Sequence, residues 1–486
     1  MEDGKFIIYQ MLPRVFGQRD WVPGGSYERN GSGKLNDITG EVLKGLKADL
    51  YISAVWYTGV IAHATKTAFE GVPPCHPDLV KGEAGSPYAI TNYFDVAPEL
   101  ASTPAKGMQE FEALVARTHA AGLKVIIDFV PNHVFRQYQK PFSAPNFYTL
   151  YGQTLHLPFP STYRESPALG TGNCPTDACP SKYDWFDTVK LNYDNKYTWN
   201  IMLDVLRFWA GKGVDGFRCD MVELVPADFF RWAIAQMHHK HPGVKFIAEV
   251  YDKNNYWRYA DAGFDYLYDK SGFYDALREI CVGNRPAYWL SQEWQFLGDL
   301  QPRMLNFLEN HDEQRIASDF FLDSGRKALA PLAVSLLFNT APFMIYFGQE
   351  VGERGMLEEG FSGRDGRTSI FDYCSLSGEK DEWLYGRYKE LTALAADPVF
   401  AKGRTYDLMW LNPTSGQFDA GQQFAFMRAC DGRGALVVAN FSDRPVDIQL
   451  NISDDAFGYL GIPKDDIFFE TIHIEANDAT IILTDR

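Results

Sequence analysis

The chain has 486 residues, more than one hydrophobic core usually organises, so we expect two or three domains. Hydrophobic residues make up 46% of the chain and charged residues 22%, a balance typical of a folded globular protein and not of a disordered one. The formal net charge is −17, and such an acidic surface repels phosphate backbones, which argues against a nucleic-acid partner.

Short apolar runs alternate with helical patterns up to about residue 390, which predicts βα units around a parallel sheet. Helical periodicity is clearest at residues 108–121, 197–210 and 229–239. The apolar runs predict eight strands, at residues 6–12, 51–58, 124–130, 214–219, 245–250, 264–268, 304–308 and 342–347. Eight is the number that a closed (β/α)8 TIM barrel requires, so this α/β fold is the predicted architecture.

Two stretches break this alternation. Residues 134–196 follow the third predicted strand, are rich in Pro, Gly, Ser, Thr and Tyr, and show no clean periodicity, which predicts an inserted domain. Residues 399–486 carry short β-like runs separated by Gly, Asp and Pro, which predict a C-terminal antiparallel β domain of the sandwich type. The barrel itself is expected to comprise residues 1–133 and 197–398.

No run of about 18 apolar residues occurs, so we predict no transmembrane segment. The first residues lack a basic stretch followed by a long apolar one, so we expect a cytoplasmic protein, or an exported one whose signal peptide has been removed. The seven cysteines do not form a disulfide framework in a chain of this length. Cys174 and Cys179 are close enough to pair in an exported protein, and are otherwise free thiols.

Polar side chains lie at or just beyond the C-terminal ends of several predicted strands. They are Asp128 and His133 at the end of the third strand, Asp220 at the end of the fourth, Glu249 at the end of the fifth, and His311 and Asp312 at the end of the seventh. In TIM barrels the active site lies at the C-terminal ends of the strands. Carboxylates at four strand ends, two of them accompanied by histidine, therefore predict an active site at that end of the barrel.

Two of these carboxylates are expected to differ in protonation state. Side chains alternate along a strand, so Arg218 points to the same side as Asp220 and should hold that carboxylate ionised. Glu249 lies between Ala248 and Val250 and near other carboxylates, which should raise its pKa. Retaining glycoside hydrolysis needs this combination, because one carboxylate attacks the sugar while the other carboxyl group donates a proton.

These strand ends resemble the four sequence segments by which the α-amylase family (glycoside hydrolase family 13) is known. The matching residues are 128–133, 213–220, Glu249 and 310–312. Residues 8–16 are similar to the first strand of the family, and residues 365–368 to a loop after the eighth strand of some bacterial members. The resemblance spans most of the chain and implies both the inserted domain and the C-terminal β domain.

The resemblance also implies a role for each matching residue. The catalytic residues are Asp220 as nucleophile, Glu249 as acid/base and Asp312 as the group that favours the positively charged transition state. The substrate-binding residues are Tyr88, which is similar to the tyrosine under the cleaved sugar, together with His133, Arg218 and His311. The chemistry that these residues imply requires no cofactor.

A structural calcium ion is a further expectation, because family members often bind one between the barrel and the inserted domain. Asn132 occupies the position of one ligand, and Asp194 is a candidate for a second. Two residues depart from the family pattern. Leu224 stands where many α-amylases have a histidine that ligates through its main chain, and Glu223 replaces a lysine that contacts sugar on the acceptor side.

The expected activity is therefore the hydrolysis of α-1,4-glucosidic bonds in a neutral α-glucan, either starch or maltooligosaccharides. A cyclomaltodextrinase, an α-glucosidase or a transglycosylase on the same scaffold is the alternative, and Val250 after the acid/base favours an amylase. A relative that binds glycan without cleaving it is a more remote alternative, because such relatives lose catalytic carboxylates. The sequence leaves the oligomeric state open.

Overall fold

The computed structural model describes residues 4–135, 146–150, 153–157, 163–165, 185, 187–191, 193–357, 366–464 and 470–484. Its barrel strands are β1 (Ile7–Met11), β2 (Ala54–Tyr57), β3 (Lys124–Phe129), β4 (Gly216–Cys219), β5 (Lys245–Ala248), β6 (Tyr266–Tyr268), β7 (Met304–Phe307) and β8 (Phe343–Tyr346). They form a closed parallel barrel in the order β1-β8-β7-β6-β5-β4-β3-β2. Each lies within one of the eight predicted strands, so the predicted barrel is confirmed.

Alternate residues of these strands enter two separate cores, as the pleat of a strand requires. Ile8, Trp56 and Phe307 pack with other side chains inside the barrel. Their neighbours, such as Ile7 and Val55, belong to the larger core between the barrel and its helices. Because the interior of the barrel is filled with side chains, a binding site has to lie at one of its ends.

Helices surround the barrel and cover its outer core. The longer ones are Gly40–Leu50, Gly107–Ala120, Lys196–Gly211, Ala227–Lys240, Trp289–Leu297, Leu329–Leu337 and Glu382–Ala396. The shorter ones are Tyr27–Asn30, Tyr256–Asp261, Asp275–Cys281, Pro398–Ala401 and Asp454–Leu460. The three helices predicted from periodicity are among them. Across the described residues, no helix combines the length and hydropathy needed to span a bilayer.

Short antiparallel strands accompany the barrel near the ends of β2 and β3. Ile61–His63 pairs with Ile90–Val96, and Asn146–Leu150 pairs with Gln153–Leu157. A three-stranded sheet contains His133–Phe135, Thr188–Leu191 and Tyr163–Glu165, in that order. Much of the predicted inserted domain, including Cys174 and Cys179, lies outside the described residues.

The C-terminal part of the chain forms an antiparallel sheet, which confirms a C-terminal β domain. Its strands, in spatial order, are β9 (Arg404–Asp407), β10 (Gln423–Cys430), β11 (Arg433–Asn440) and β12 (Ala479–Leu483). A second pair joins Val446–Ile448 to Ile472–Ile474. We did not expect β9 from the sequence, because its residues are polar and partly exposed.

Arg428 on β10 fastens this sheet to the barrel. Its buried guanidinium donates to main-chain oxygens of Leu337 at 2.7 Å, Phe400 at 2.9 Å and Gly403 at 2.7 Å. Leu337 ends a helix that packs against the barrel, so its bond to Arg428 crosses the boundary between the two parts. Burial lowers the pKa of Arg428 to about 9. The carbonyl oxygens therefore have to compensate for the desolvation of this cation.

Replacing Arg428 with Met should weaken the attachment of the C-terminal sheet. The variant leaves several buried carbonyl oxygens without a donor, so we expect the free energy of unfolding to fall by about 3 kcal/mol. Urea denaturation followed by tryptophan fluorescence measures this change. The control is Arg433→Met, which removes a partly exposed ion pair to Asp397 and should change stability by less than about 1 kcal/mol. Equal stability of the two variants would contradict the role of Arg428.

Candidate active site

A cavity of about 570 Å³ opens at the C-terminal ends of the barrel strands. Five of the predicted site residues line it: Tyr88, His133, Asp220, Glu249 and Asp312. Two others, Arg218 and His311, are buried and contact residues of this lining. The structure therefore brings all seven predicted catalytic and substrate-binding residues together at one end of the barrel.

Arg218 lies beneath the cavity and bridges two of its carboxylates. Its Nη1 donates to Asp220 Oδ1 at 2.8 Å, and its Nη2 donates to Glu249 Oε1. The guanidinium is fully buried, and its carbon lies 5.4 to 5.6 Å from the ring centroids of Trp56, Tyr88 and Tyr268. Aromatic faces favour a cation at this range, so rings and carboxylates together stabilise the buried charge.

Asp128 at the end of β3 holds two residues of this site in place. Its Oδ1 accepts a hydrogen bond from Tyr88 Oη at 3.3 Å and lies 3.4 Å from Arg218 Nη1. Its Oδ2 accepts from Trp56 Nε1 at 3.1 Å. We therefore assign Asp128 a positioning role next to the two bridged carboxylates.

The two bridged carboxyl groups differ in pKa. Burial raises the pKa of Glu249 to about 8, and repulsion from the carboxylates of Asp220 and Asp312 adds to that effect. Burial raises the pKa of Asp220 to about 6, although Arg218 opposes it. The guanidinium thus acts in the direction expected from the sequence, but burial outweighs it. Near pH 7 the aspartate is mostly ionised and the glutamate mostly protonated.

Both carboxyl oxygens of Glu249 accept hydrogen bonds from neighbouring residues. The main-chain N–H of Met221 donates to its Oε2 at 2.7 Å, and Tyr251 Oη donates to its Oε1 at 3.2 Å. Met221 reaches this position with a φ of 49°, a left-handed conformation that a residue with a side chain rarely adopts. We did not identify Tyr251 from the sequence, although its place two residues after Glu249 on an extended segment puts it on the same side.

Asp220 keeps one oxygen available for chemistry. Its Oδ1 is engaged by Arg218, whereas its buried Oδ2 accepts no hydrogen bond from any of the described residues. A buried carboxylate oxygen without a donor is a costly arrangement. Such a lone pair, at the wall of the cavity, is what a nucleophile must present to a bound sugar.

Asp312 borders the cavity beside a buried histidine. Its Oδ2 lies 3.2 Å from Nε2 of His311, and that nitrogen also lies 2.6 Å from Tyr88 Oη. The rings of His311 and Tyr88 stack at 5.4 Å, and Gln10 Nε2 contacts the other ring nitrogen at 2.8 Å. Burial lowers the pKa of His311 to about 4, so the ring is neutral at pH 7. A neutral ring supplies polar contacts to a sugar without cancelling the negative charge of the carboxylates.

Glu223 organises the loop that follows β5. Its Oε2 accepts from the main-chain N–H of Tyr251 at 2.8 Å, and its Oε1 accepts from Asn255 Nδ2 at 2.7 Å. The family resemblance marks this position as a departure, since many amylases have a lysine there. In this chain the residue lines the cavity with both of its oxygens already bonded to the loop.

One of the two predicted metal ligands is hydrogen-bonded to a lysine, and the expected calcium ion is not confirmed. Asn132 Oδ1 accepts a hydrogen bond at 3.0 Å from Lys190 Nζ, which also donates to the main-chain oxygen of Leu224 at 2.7 Å. An ammonium group therefore lies where a calcium ion would have to bind these oxygens. Asp194 is exposed to solvent. In the part of the chain that the structure describes, no group of three or more His, Cys, Asp and Glu side chains is arranged to hold a metal ion.

Comparison with known proteins relates the chain to the α-amylases. The family model described as alpha amylase, catalytic domain, matches residues 25–262. The α-amylase MalA of Haloarcula japonica is 25% identical over 464 residues, which cover 92% of this chain and 57% of that protein. A cyclomaltodextrinase from a Bacillus species is 23% identical, over 79% of this chain and 65% of its own length. The chain thus spans less than two thirds of both relatives.

A solved structure shares the same fold over nearly the whole chain. The noncanonic maltogenic α-amylase AmyB from Thermotoga neapolitana superimposes with a TM-score of 0.66 at 22% sequence identity. The match covers 99% of this chain and 96% of that one.

The pKa values of the bridged pair predict a bell-shaped pH profile for the site. Activity should fall below about pH 6, where Asp220, the predicted nucleophile, is protonated, and above about pH 8, where Glu249, the predicted acid, is ionised. The ratio kcat/KM on a soluble maltooligosaccharide, measured from acid to alkaline pH, reports both limbs in the free enzyme. An acidic limb near the usual aspartate value would contradict the dominance of burial over Arg218.

Proposed function

We propose that the chain, which belongs to the α-amylase family (glycoside hydrolase family 13), is a retaining hydrolase of α-1,4-glucosidic bonds in starch or maltooligosaccharides. The observation that carries the proposal is the shared guanidinium. One buried cation holds two carboxyl groups side by side, and their pKa values leave one ionised and the other protonated. Double displacement at a sugar requires this pair.

The first half of the reaction forms a glycosyl-enzyme intermediate. Asp220 Oδ2 attacks the anomeric carbon, and the bond from that carbon to the glycosidic oxygen breaks. Glu249 gives its proton to the leaving oxygen, so the departing sugar leaves as a neutral alcohol. The carboxylate of Asp312, at the cavity wall, favours the positive charge that develops on the ring between these events.

The second half returns both carboxyl groups to their starting states. Glu249, now ionised, takes a proton from a water molecule, and the oxygen of that water attacks the anomeric carbon. The bond to Asp220 breaks and its carboxylate is released. Two inversions at one carbon give a product with the α configuration. Every proton in the cycle is carried by a side chain or by water, so these steps use no cofactor.

Digestion of a defined maltooligosaccharide series tests the proposed substrate and its stereochemistry together. We expect shorter α-1,4-linked oligosaccharides, with the α anomer appearing first in proton NMR spectra taken during early hydrolysis. A β anomer formed first would refute double displacement. Glucose as the main product from maltose would favour an α-glucosidase, and preferential opening of cyclodextrins would favour a cyclomaltodextrinase. Transfer products longer than the substrate would favour a transglycosylase.

The variant Glu249→Gln separates the acid role from the nucleophile role. It should lower kcat on maltooligosaccharides by about 1,000-fold, since the leaving oxygen receives no proton. The loss should be much smaller for the formation of the intermediate from α-maltosyl fluoride, whose leaving group needs less protonation. The matched control, Asp220→Asn, should lose activity on both substrates because no intermediate forms. A Glu249→Gln protein as fast as the parent on oligosaccharides would remove Glu249 from the mechanism.

A further inference from the structure

Lys190 connects three parts of the chain close to the active site. It lies in the strand Thr188–Leu191, which pairs with His133–Phe135. Its ammonium donates to Asn132 Oδ1 at 3.0 Å and to the main-chain oxygen of Leu224 at 2.7 Å. Asn132 is fully buried just after β3, and Leu224 ends the short helix Val222–Leu224 that follows β4. One side chain thus joins the loops after two neighbouring barrel strands.

The two acceptors are of the kind that a hard cation selects. Calcium binds amide and main-chain carbonyl oxygens as well as carboxylates, each at about 2.4 Å. A calcium ion at that distance from both oxygens would occupy the space of the ammonium group and would repel its charge. The oxygens can therefore hold either the lysine or a divalent ion, and in this chain the lysine is bonded to both.

The same segment is anchored a second time, three residues earlier. Asp187 is buried, and its Oδ1 lies 3.2 Å from Lys81 Nζ. The Lys81 ammonium also lies 5.5 Å from the ring centroid of Trp185, and that ring packs edge-on against His133 at 5.0 Å. Trp185, Asp187 and Thr188 therefore line the cavity in a segment that contacts two lysines, Lys81 near its start and Lys190 near its end.

We infer that the ammonium group of Lys190 is a built-in cation, which takes the place of an exchangeable metal ion at the junction between the barrel and the segment 187–191. It donates hydrogen bonds to the oxygens of Asn132 and Leu224 and so fixes the segment to the barrel. Through Asn132, whose Nδ2 lies 3.0 Å from His133 Nδ1, it also orients a residue that lines the cavity. This inference concerns the stability of the junction and stands independently of the proposed reaction.

The first experiment asks whether the ammonium stabilises the fold. The full-length protein and two variants, Lys190→Met and Lys240→Met, are unfolded thermally in a buffer that contains a chelator. Lys240 is the control because it is an exposed lysine at the end of the helix Ala227–Lys240. We expect the unfolding temperature of Lys190→Met alone to fall, by about 3 °C or more, since two charge-assisted hydrogen bonds are lost. Equal unfolding temperatures of the two variants would overturn the inference.

The second experiment tests whether the position of the Lys190 ammonium can bind a calcium ion once the lysine is removed. The variant Lys190→Asp places a carboxylate beside the oxygens of Asn132 and Leu224, and Lys240→Asp is its control for the change of charge. We expect calcium to raise the unfolding temperature of Lys190→Asp by more than that of the parent or the control. We also expect this variant to retain one more calcium ion per chain after gel filtration, measured by elemental analysis. The same calcium response in all three proteins would overturn the inference.

Discussion

The active site depends on a single buried guanidinium. Arg218 is in register with Asp128 on the neighbouring strand β3, and its position two residues before Asp220 places both side chains on the inner side of β4. A fully buried cation is tolerated only when anions and polar groups surround it, so its presence requires carboxylates at this depth. Asp220 and Glu249 satisfy that requirement, and the same contacts bring them side by side.

Because burial acts on both carboxyl groups while the cation is shared between them, they cannot both ionise easily. The protonation difference that hydrolysis needs therefore follows from the electrostatics of the buried cluster.

The barrel can be predicted from the sequence because parallel strands that are buried on both faces leave short, nearly continuous apolar runs. Each observed strand is shorter than its predicted run: β3, β5 and β7 end before the predicted residue, whereas β4 and β6 begin after it. The C-terminal sheet is predictable where its strands are apolar, as in Gln423–Cys430 and Arg433–Asn440. The strand Arg404–Asp407 escapes such analysis, because its pairing with β10 compensates for polar side chains that carry no pattern of their own.

The active site can be predicted from the sequence only in part. The carboxylates can be located because strand ends and side-chain alternation are local properties. Their pKa values cannot, because burial depends on how the whole barrel closes; the sequence suggests that Arg218 decides the state of Asp220, whereas desolvation has the larger effect. Tyr251 lies within reach of the alternation rule, since it comes two residues after Glu249. Lys190 does not, since its two partners are 58 and 34 positions away in the chain and one of them is a main-chain oxygen.

A lysine and a calcium ion can each stabilise this junction, but only the stabilisation by calcium depends on the concentration of free ion. A bound ion stabilises the folded state by an amount that grows with its free concentration, so the junction weakens wherever that ion is scarce. A covalently attached ammonium is present at every concentration, but it carries one charge instead of two and can donate only three hydrogen bonds. It can therefore connect fewer oxygens than an ion that takes six to eight ligands. The second anchor, between Lys81 and Asp187, supplies part of what is missing, because it fixes the same segment from its other end. On this view the two lysines together keep the cavity wall beside His133 in place, and the rigidity of the sugar site derives from the chain itself.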